Sequence, residues 1–188
     1  MKKGTKVLLF SDAWATLALG MIGPIYAIFV EKIGGDILDA SWAYFAFMIT
    51  SGVAMYLISH WEDKFKNKEI LITIGYCLTA LGCLSYVFVF NQFSLIVTQI
   101  ILGLAESIQV PAYDALYSKY LEKKKEASEW GDWESMRYIV TAIAAVIGGY
   151  LASIFGFKIL FVCMFAISIF AAASSLRLFK GKKYLGSN

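Results

Sequence analysis

The chain has 188 residues, 59 % of them hydrophobic and only 16 % charged, against about 25 % charged in an ordinary soluble domain. That balance excludes a soluble globular fold, and 15 Gly beside only 2 Pro excludes a disordered or loop-rich chain. The formal net charge of +3 is small, and the apolar stretches are continuous rather than alternating, which excludes a transmembrane β-barrel.

Six apolar runs follow one another, at roughly residues 7–30, 40–60, 70–90, 94–118, 134–154 and 157–178. At about 1.5 Å per helical residue, each run can cross a hydrocarbon core of about 30 Å. The sequence therefore predicts an all-α integral membrane bundle of six spans in one domain, residues 1–188, with a connector at 119–133. Basic residues sort by side. Lys2, Lys3 and Lys6 precede span one, and Lys64, Lys66 and Lys68 lie between spans two and three. Lys119, Lys123, Lys124 and Lys125 lie between spans four and five, and Arg177, Lys180, Lys182 and Lys183 follow span six. The opposite connectors hold only Lys32 and Lys158. The positive-inside rule then places both termini in the cytoplasm of a plasma (inner) membrane, and topology rather than nucleic acid accounts for the lysines.

Span one lacks the short apolar core and small-residue cleavage site of a secretory signal and reads as a retained anchor. It carries Asp12, Trp14 and Tyr26. The connector at 31–39, with Gly34 and Gly35, reads as a turn, and His60 ends span two as an interfacial residue. Cys77, Cys83 and Cys163 sit inside spans, where Cys behaves as a small hydrophobe. Their spacing fits no zinc site or disulfide framework, so neither metal nor cofactor is expected.

Span four is the most informative. Gln99, Glu106 and Tyr113 are spaced by seven and share a helical face, with Gln109 and Tyr117 close beside it and Pro111 and Asp114 on the same stretch. A polar and aromatic stripe on an apolar helix must face protein or a water-filled cavity. Glu106 lies halfway along the run, near the bilayer midplane, where a charge costs at least about 2.5–3.5 kcal/mol; it is expected to be protonated, paired or hydrated.

In the following connector, Trp130 and Trp133 read as interfacial anchors, either on a helix lying along the membrane or at the ends of a solvated linker. Glu134 and Arg137, three residues apart, can pair on one helix face. With Asp12 and Asp114 they form a second charged group near the cytoplasmic leaflet, readable as a gate or as mutual compensation. Gly148 and Gly149, after Ala142, Ala144 and Ala145, predict a tightly packed span five. Gly156 marks the last turn, and no function attaches to Gly186, Ser187 and Asn188. Residues 1–90 and 91–188 show no convincing internal repeat.

Several of these strings together resemble the major facilitator superfamily, one six-helix half of it. They are Gly103 to Pro111 with Ala115 and Leu116, then Gly148, Gly149, Phe155, Gly156 and Phe161, and the opening Gly20, Gly23, Pro24 and Tyr26. The connector from Ser59 through Asp63, Lys64, Lys66 and Lys68 resembles the family's loop between helices two and three. Ser59 and Lys66 depart from that loop's glycines. Gln99 stands where many members carry an arginine, and Ala144 and Ala145 stand where drug–proton antiporters have Gly-Pro, which weakens the antiporter reading.

The resemblance implies a bundle of two inverted three-helix repeats, about half the usual twelve helices, completed by a parallel homodimer in the lipid bilayer. It implies a secondary active or facilitative transporter of an unknown small-molecule substrate, working by alternating access. Trp14, Tyr26, Gln99, Glu106, Gln109, Tyr113 and Tyr117 are the pathway candidates, with Glu106 as proton carrier and aromatic rings able to hold a flat or cationic solute. Asp12, Asp63, Lys64, Asp114, Glu134 and Arg137 form the gate or charge group, Asp63 facing span five of the second copy near Gly131, Asp132 and Arg137. The alternatives are a non-transporting assembly or sensor protein, or one half of a heterodimeric transporter. No catalytic grouping and no Walker glycine loop is present, so neither enzyme nor ATP-driven pump is expected.

Overall fold

The computed structural model describes residues 1–181, the last two by their backbone only; Lys182, Lys183 and the Gly186 to Asn188 tail lie outside the described residues. Eight α-helices follow in order: α1 Lys3–Gly20, α2 Tyr26–Lys32, α3 Ile37–Glu62, α4 Lys68–Ser85, α5 Gln92–Tyr120, α6 Glu126–Phe155, α7 Phe157–Ser175 and α8 Arg177–Gly181. Among the described residues they make six segments long and apolar enough to cross a membrane.

Local chemistry sets the ends. Asp36 caps α3, accepting from the backbone N–H of Leu38 and Asp39 at 2.8 and 2.9 Å, while Asp39 accepts from the Asp36 N–H. Asn91 and Ser94 make the same reciprocal cap on α5. Gly156, at φ +82°, separates α6 from α7, a conformation that glycine adopts without Cβ strain. The first span is not one helix. A 3-10 turn at Gly23–Ile25 divides α1 from α2, where Pro24 has no N–H for the helical ladder.

The connector before α6 is shorter than the 119–133 segment expected. α5 runs to Tyr120 and α6 begins at Glu126, so residues 126–133 are the opening turns of the transmembrane helix itself. Trp130 and Trp133 turn toward α5. Trp130 packs 4.9 Å from the Tyr117 ring, and Trp133 packs against Tyr113 and Tyr117. Continuing the helix turns both rings inward, where they pack half-buried against α5.

The helix pairings reveal the repeat. α1 packs on α7 and α6; α5 packs in the corresponding way on α4 and α3; α4 and α7 pack on each other. Exchanging the first three spans for the last three turns the two α1 pairings into the two α5 pairings and leaves the α4–α7 pairing as it is, as two inverted three-helix repeats require. Both equivalent crossings use glycine. A Cβ on Gly103 would lie 2.8 Å from the Phe47 carbonyl of α3, and one on Gly20 would lie 2.9 Å from the Ala144 Cβ of α6.

Burial is uneven. In α4 and α7, 50 % and 44 % of the apolar window is buried, against 11 % in both α3 and α6. The expectation of a tightly packed span five is therefore corrected. Gly148 does meet the Met21 backbone, but Tyr138, Ile139, Val146 and Tyr150 on the rest of α6 are exposed, as are Tyr44, Met48, Tyr56 and Leu57 on α3. Small residues packed one face of the helix and left the others bare.

Candidate functional site

Between the sparsely buried α3 and α6 lies a cleft of about 550 Å³, walled by α1, α2 and α5 with Thr79 of α4. α5 supplies its floor for the reason read from the sequence: residues 99, 106, 109, 113 and 114 recur at helical spacing and fall toward one side. Gln99, Glu106, Gln109, Tyr113 and Asp114 all line the cleft. α1 adds Asp12, and α2 adds Tyr26, which the 3-10 turn sets at the wall.

The two charged groups expected at different depths share this one cleft. Asp12, Asp114 and Arg137 line it together with Glu106. Asp12 is 7 % exposed and accepts two hydrogen bonds, from the Trp133 indole Nε1–H at 2.8 Å and from the Tyr76 hydroxyl at 3.4 Å. Arg137 lies 4.9 Å from the centroid of the Trp133 ring, a cation–π distance. Its charge acts on Asp12, Glu106 and Asp114, yet among the described residues its only ion pair is with Glu134, at 3.9 Å, the two side chains being 48 % and 47 % exposed.

Hydrogen bonds fix the opposite end. Gln99 Nε2 donates to the Tyr26 hydroxyl at 2.7 Å and to the Tyr86 hydroxyl at 3.1 Å, which ties α5 to α2 and to the turn after α4. Tyr113, only 2 % exposed, stacks on Tyr117 and Trp133, and its hydroxyl has no partner.

Trp14 and Tyr117 do not line the cleft. Trp14 faces away, 4.8 Å from the Phe170 ring of α7. Tyr117 is fully buried and donates its hydroxyl to the Glu129 carbonyl, holding α5 against the start of α6. Asp63 and Lys64 are exposed in the α3–α4 loop, apart from the cleft. Trp133, Tyr44, Phe47 and Thr141 line it and were not among the sequence candidates. Only Trp133 left a signal, a tryptophan one helical turn before Arg137.

Apart from the cleft, the connector at 121–125 is clasped. The Met1 ammonium approaches Glu122 at 2.7 Å, and Lys125 Nζ approaches it at 3.0 Å. The hydrogen bond from the ammonium and the charge of Lys125 hold the Glu122 carboxyl down to about 2.

The sequence matches the family model of the Major Facilitator Superfamily over residues 8–185. It is 23 % identical over 164 residues to the uncharacterized MFS-type transporter YitZ of Bacillus subtilis, covering 87 % of this chain and 97 % of that protein. It is 26 % identical over 184 residues to the multi-drug resistance efflux pump PmrA of Streptococcus pneumoniae, covering 95 % of this chain and 45 % of PmrA. An uncharacterized MFS-type transporter of Methanocaldococcus jannaschii is 23 % identical over 175 residues, covering 93 % of this chain and again 45 % of the relative. The chain thus spans nearly all of one relative and less than half of the others. Members of this family are membrane transporters rather than enzymes, and by the extent of the match this six-span chain belongs to the Major Facilitator Superfamily.

Proposed function

We propose that the chain is a secondary active or facilitative transporter of a small solute, working by alternating access as a parallel homodimer with the cleft on the two-fold axis. One observation carries the reading. A cleft holding Asp12, Glu106, Asp114 and Arg137 opens between α3 and α6, the two spans with the least burial. Charged groups facing lipid are costly, so a second half-bundle against α3 and α6 is the arrangement that keeps this surface out of hydrocarbon. Two parallel copies would enclose two clefts as one central site. That the longer relatives match this chain over only 45 % of their length fits the same plan.

In this reading Tyr26, Gln99, Glu106, Gln109 and Tyr113 line the pathway. Trp14 and Tyr117 brace its walls, and Asp12, Asp114, Glu134 and Arg137 form its charged end. Glu106 is the proton carrier, a half-buried carboxylate on the cleft surface that faces Asp12, Asp114, Arg137 and Tyr113. Asp63 and Lys64 meet α6 of the second copy as a gate. Both termini lie in the cytoplasm, on the side of the lysine-rich connectors, in the plasma (inner) membrane. PmrA is named as a multi-drug efflux pump, which supports an organic solute.

The test has two arms. Native mass spectrometry or crosslinking in lipid should give a dimer; a strictly monomeric chain, or one that assembles only with a different half, removes the homodimer. Flux into proteoliposomes, with candidate solutes chosen by thermal shift, should depend on pH. Glu106→Gln should abolish that dependence, and an unchanged pH profile ends the proton-carrier role.

A further inference from the structure

The inference rests on the cleft being the solute site proposed above and names the solute's charge. We infer that the cleft selects organic cations, seated between the carboxylates of α1 and α5 and the Tyr113–Trp133 wall, with Arg137 as a built-in competitor for that place.

Charge is the first argument. Asp12, Glu106 and Asp114 line the cleft against the single guanidinium of Arg137. In a low-dielectric setting the carboxylates, wherever two or more of them are ionised, outweigh the guanidinium and attract a cation rather than an anion. Arg137 does not neutralise the acids by contact, since its one ion pair among the described residues is with Glu134.

The hydrogen-bond inventory points the same way. Anions and sugars need donors, and of the strongest donors here only the Arg137 guanidinium, already paired with Glu134 and over Trp133, and the Gln109 amide are left, the others being committed. Both N–H groups of Gln99 go to Tyr26 and Tyr86, while the Trp133 indole N–H and the Tyr76 hydroxyl go to Asp12. The Glu106 and Asp114 carboxylates remain as acceptors, joined by the buried Tyr113 hydroxyl, which has no partner although it lines the cleft. A buried hydroxyl without a partner is costly, and an ammonium or guanidinium N–H would satisfy it.

The wall has cation chemistry built in. Trp133 and Tyr113 stack with ring centroids 5.8 Å apart, and Arg137 already sits 4.9 Å from the Trp133 centroid. A solute ammonium reaching the half-exposed Trp133 ring competes with Arg137 for the attraction of its π-face. A cleft of about 550 Å³ suits a molecule of drug size rather than a bare ion.

The competitor role gives an unusual expectation. If Arg137 were a substrate ligand, removing it would weaken binding; as a competitor, removing it strengthens binding. Isothermal titration of the purified protein in phosphatidylcholine nanodiscs, against empty discs, would compare benzyltrimethylammonium, benzyl alcohol and benzenesulfonate. The cation should bind and the other two should not. Arg137→Gln should tighten cation binding by about tenfold, and Glu106→Gln with Asp114→Asn should weaken it by about tenfold or more. Arg137→Lys keeps the charge and should behave as wild type, which separates charge from misfolding. Preference for the neutral or anionic probe, binding of none of the three, or weaker cation binding in Arg137→Gln overturns the inference. The transport reading fails separately: cation binding without flux in proteoliposomes sinks the transporter and leaves the site. Flux of an anion or sugar without cation binding does the reverse.

Discussion

Adding one methyl group at Gly148 tests how α1 and α6 are held together. A Cβ there would fall onto the carbonyl of Met21, whereas a Cβ on the adjacent Gly149 meets nothing within 4 Å. The obstacle is backbone, so it cannot rotate away and the two helices must separate. Overpacking of this kind costs about 1–3 kcal/mol. The helix-propensity gain of Gly→Ala, up to about 1 kcal/mol, is common to both positions and cancels in the comparison. At about 2–4 °C per kcal/mol for a chain of this length, Gly148→Ala should melt about 2–12 °C below Gly149→Ala. Melting followed by tryptophan fluorescence in detergent at dilute protein measures the difference. If the two variants melt within about 1 °C of each other, or Gly149→Ala is the weaker, the close approach of α1 and α6 does not set the fold.

Three other outcomes follow from the contacts around the cleft and the connector. Trp133→Phe removes the stronger donor to buried Asp12 and should destabilise the fold by about 1–3 kcal/mol in detergent unfolding, as leaving a buried acceptor short of a partner does; an unchanged midpoint would show that Tyr76 suffices. Glu122 is held down to about 2 in the folded chain, below its ordinary 4.5. Its clasp should be intact above about pH 4.5 and released as pH falls toward 2. A nitroxide on exposed residue 124 should become mobile over that window, and Glu122→Gln should be mobile throughout; a probe equally mobile at pH 5 and 2.5 dismisses the clasp. Asp63→Ala should raise cysteine labelling from the lysine-rich side if the loop gates the second copy's α6, and unchanged labelling removes that gate.

Much of the bundle was legible because its signals are local. Continuous apolar runs mark spans wherever they occur, and seven-residue spacing alone put Gln99, Glu106 and Tyr113 on one face of α5. The break in span one was less visible, since Pro24 is tolerated in many membrane helices and only the 3-10 turn shows the ladder ending there. The tryptophans misled for a physical reason: an amphipathic ring near a span end suits an interface or a helix interior equally, and only helix continuity from Glu126 decides between them.

The sequence by itself determined six membrane spans, their basic flanks and the polar stripe with Glu106 at its centre. Tertiary structure alone decided that Asp12, Asp114 and Arg137 share a cleft with Glu106, that Trp133 belongs there, and that Trp14 and Tyr117 do not line it. It also exposed the inverted repeat that no residue pattern displayed, because the repeat lies in which helices pair. Those pairings depend on contacts between segments far apart in the chain, such as Gly148 on Met21 and Gly103 on Phe47. A helix's own periodicity fixes which residues share a face, but only its neighbours fix where that face points.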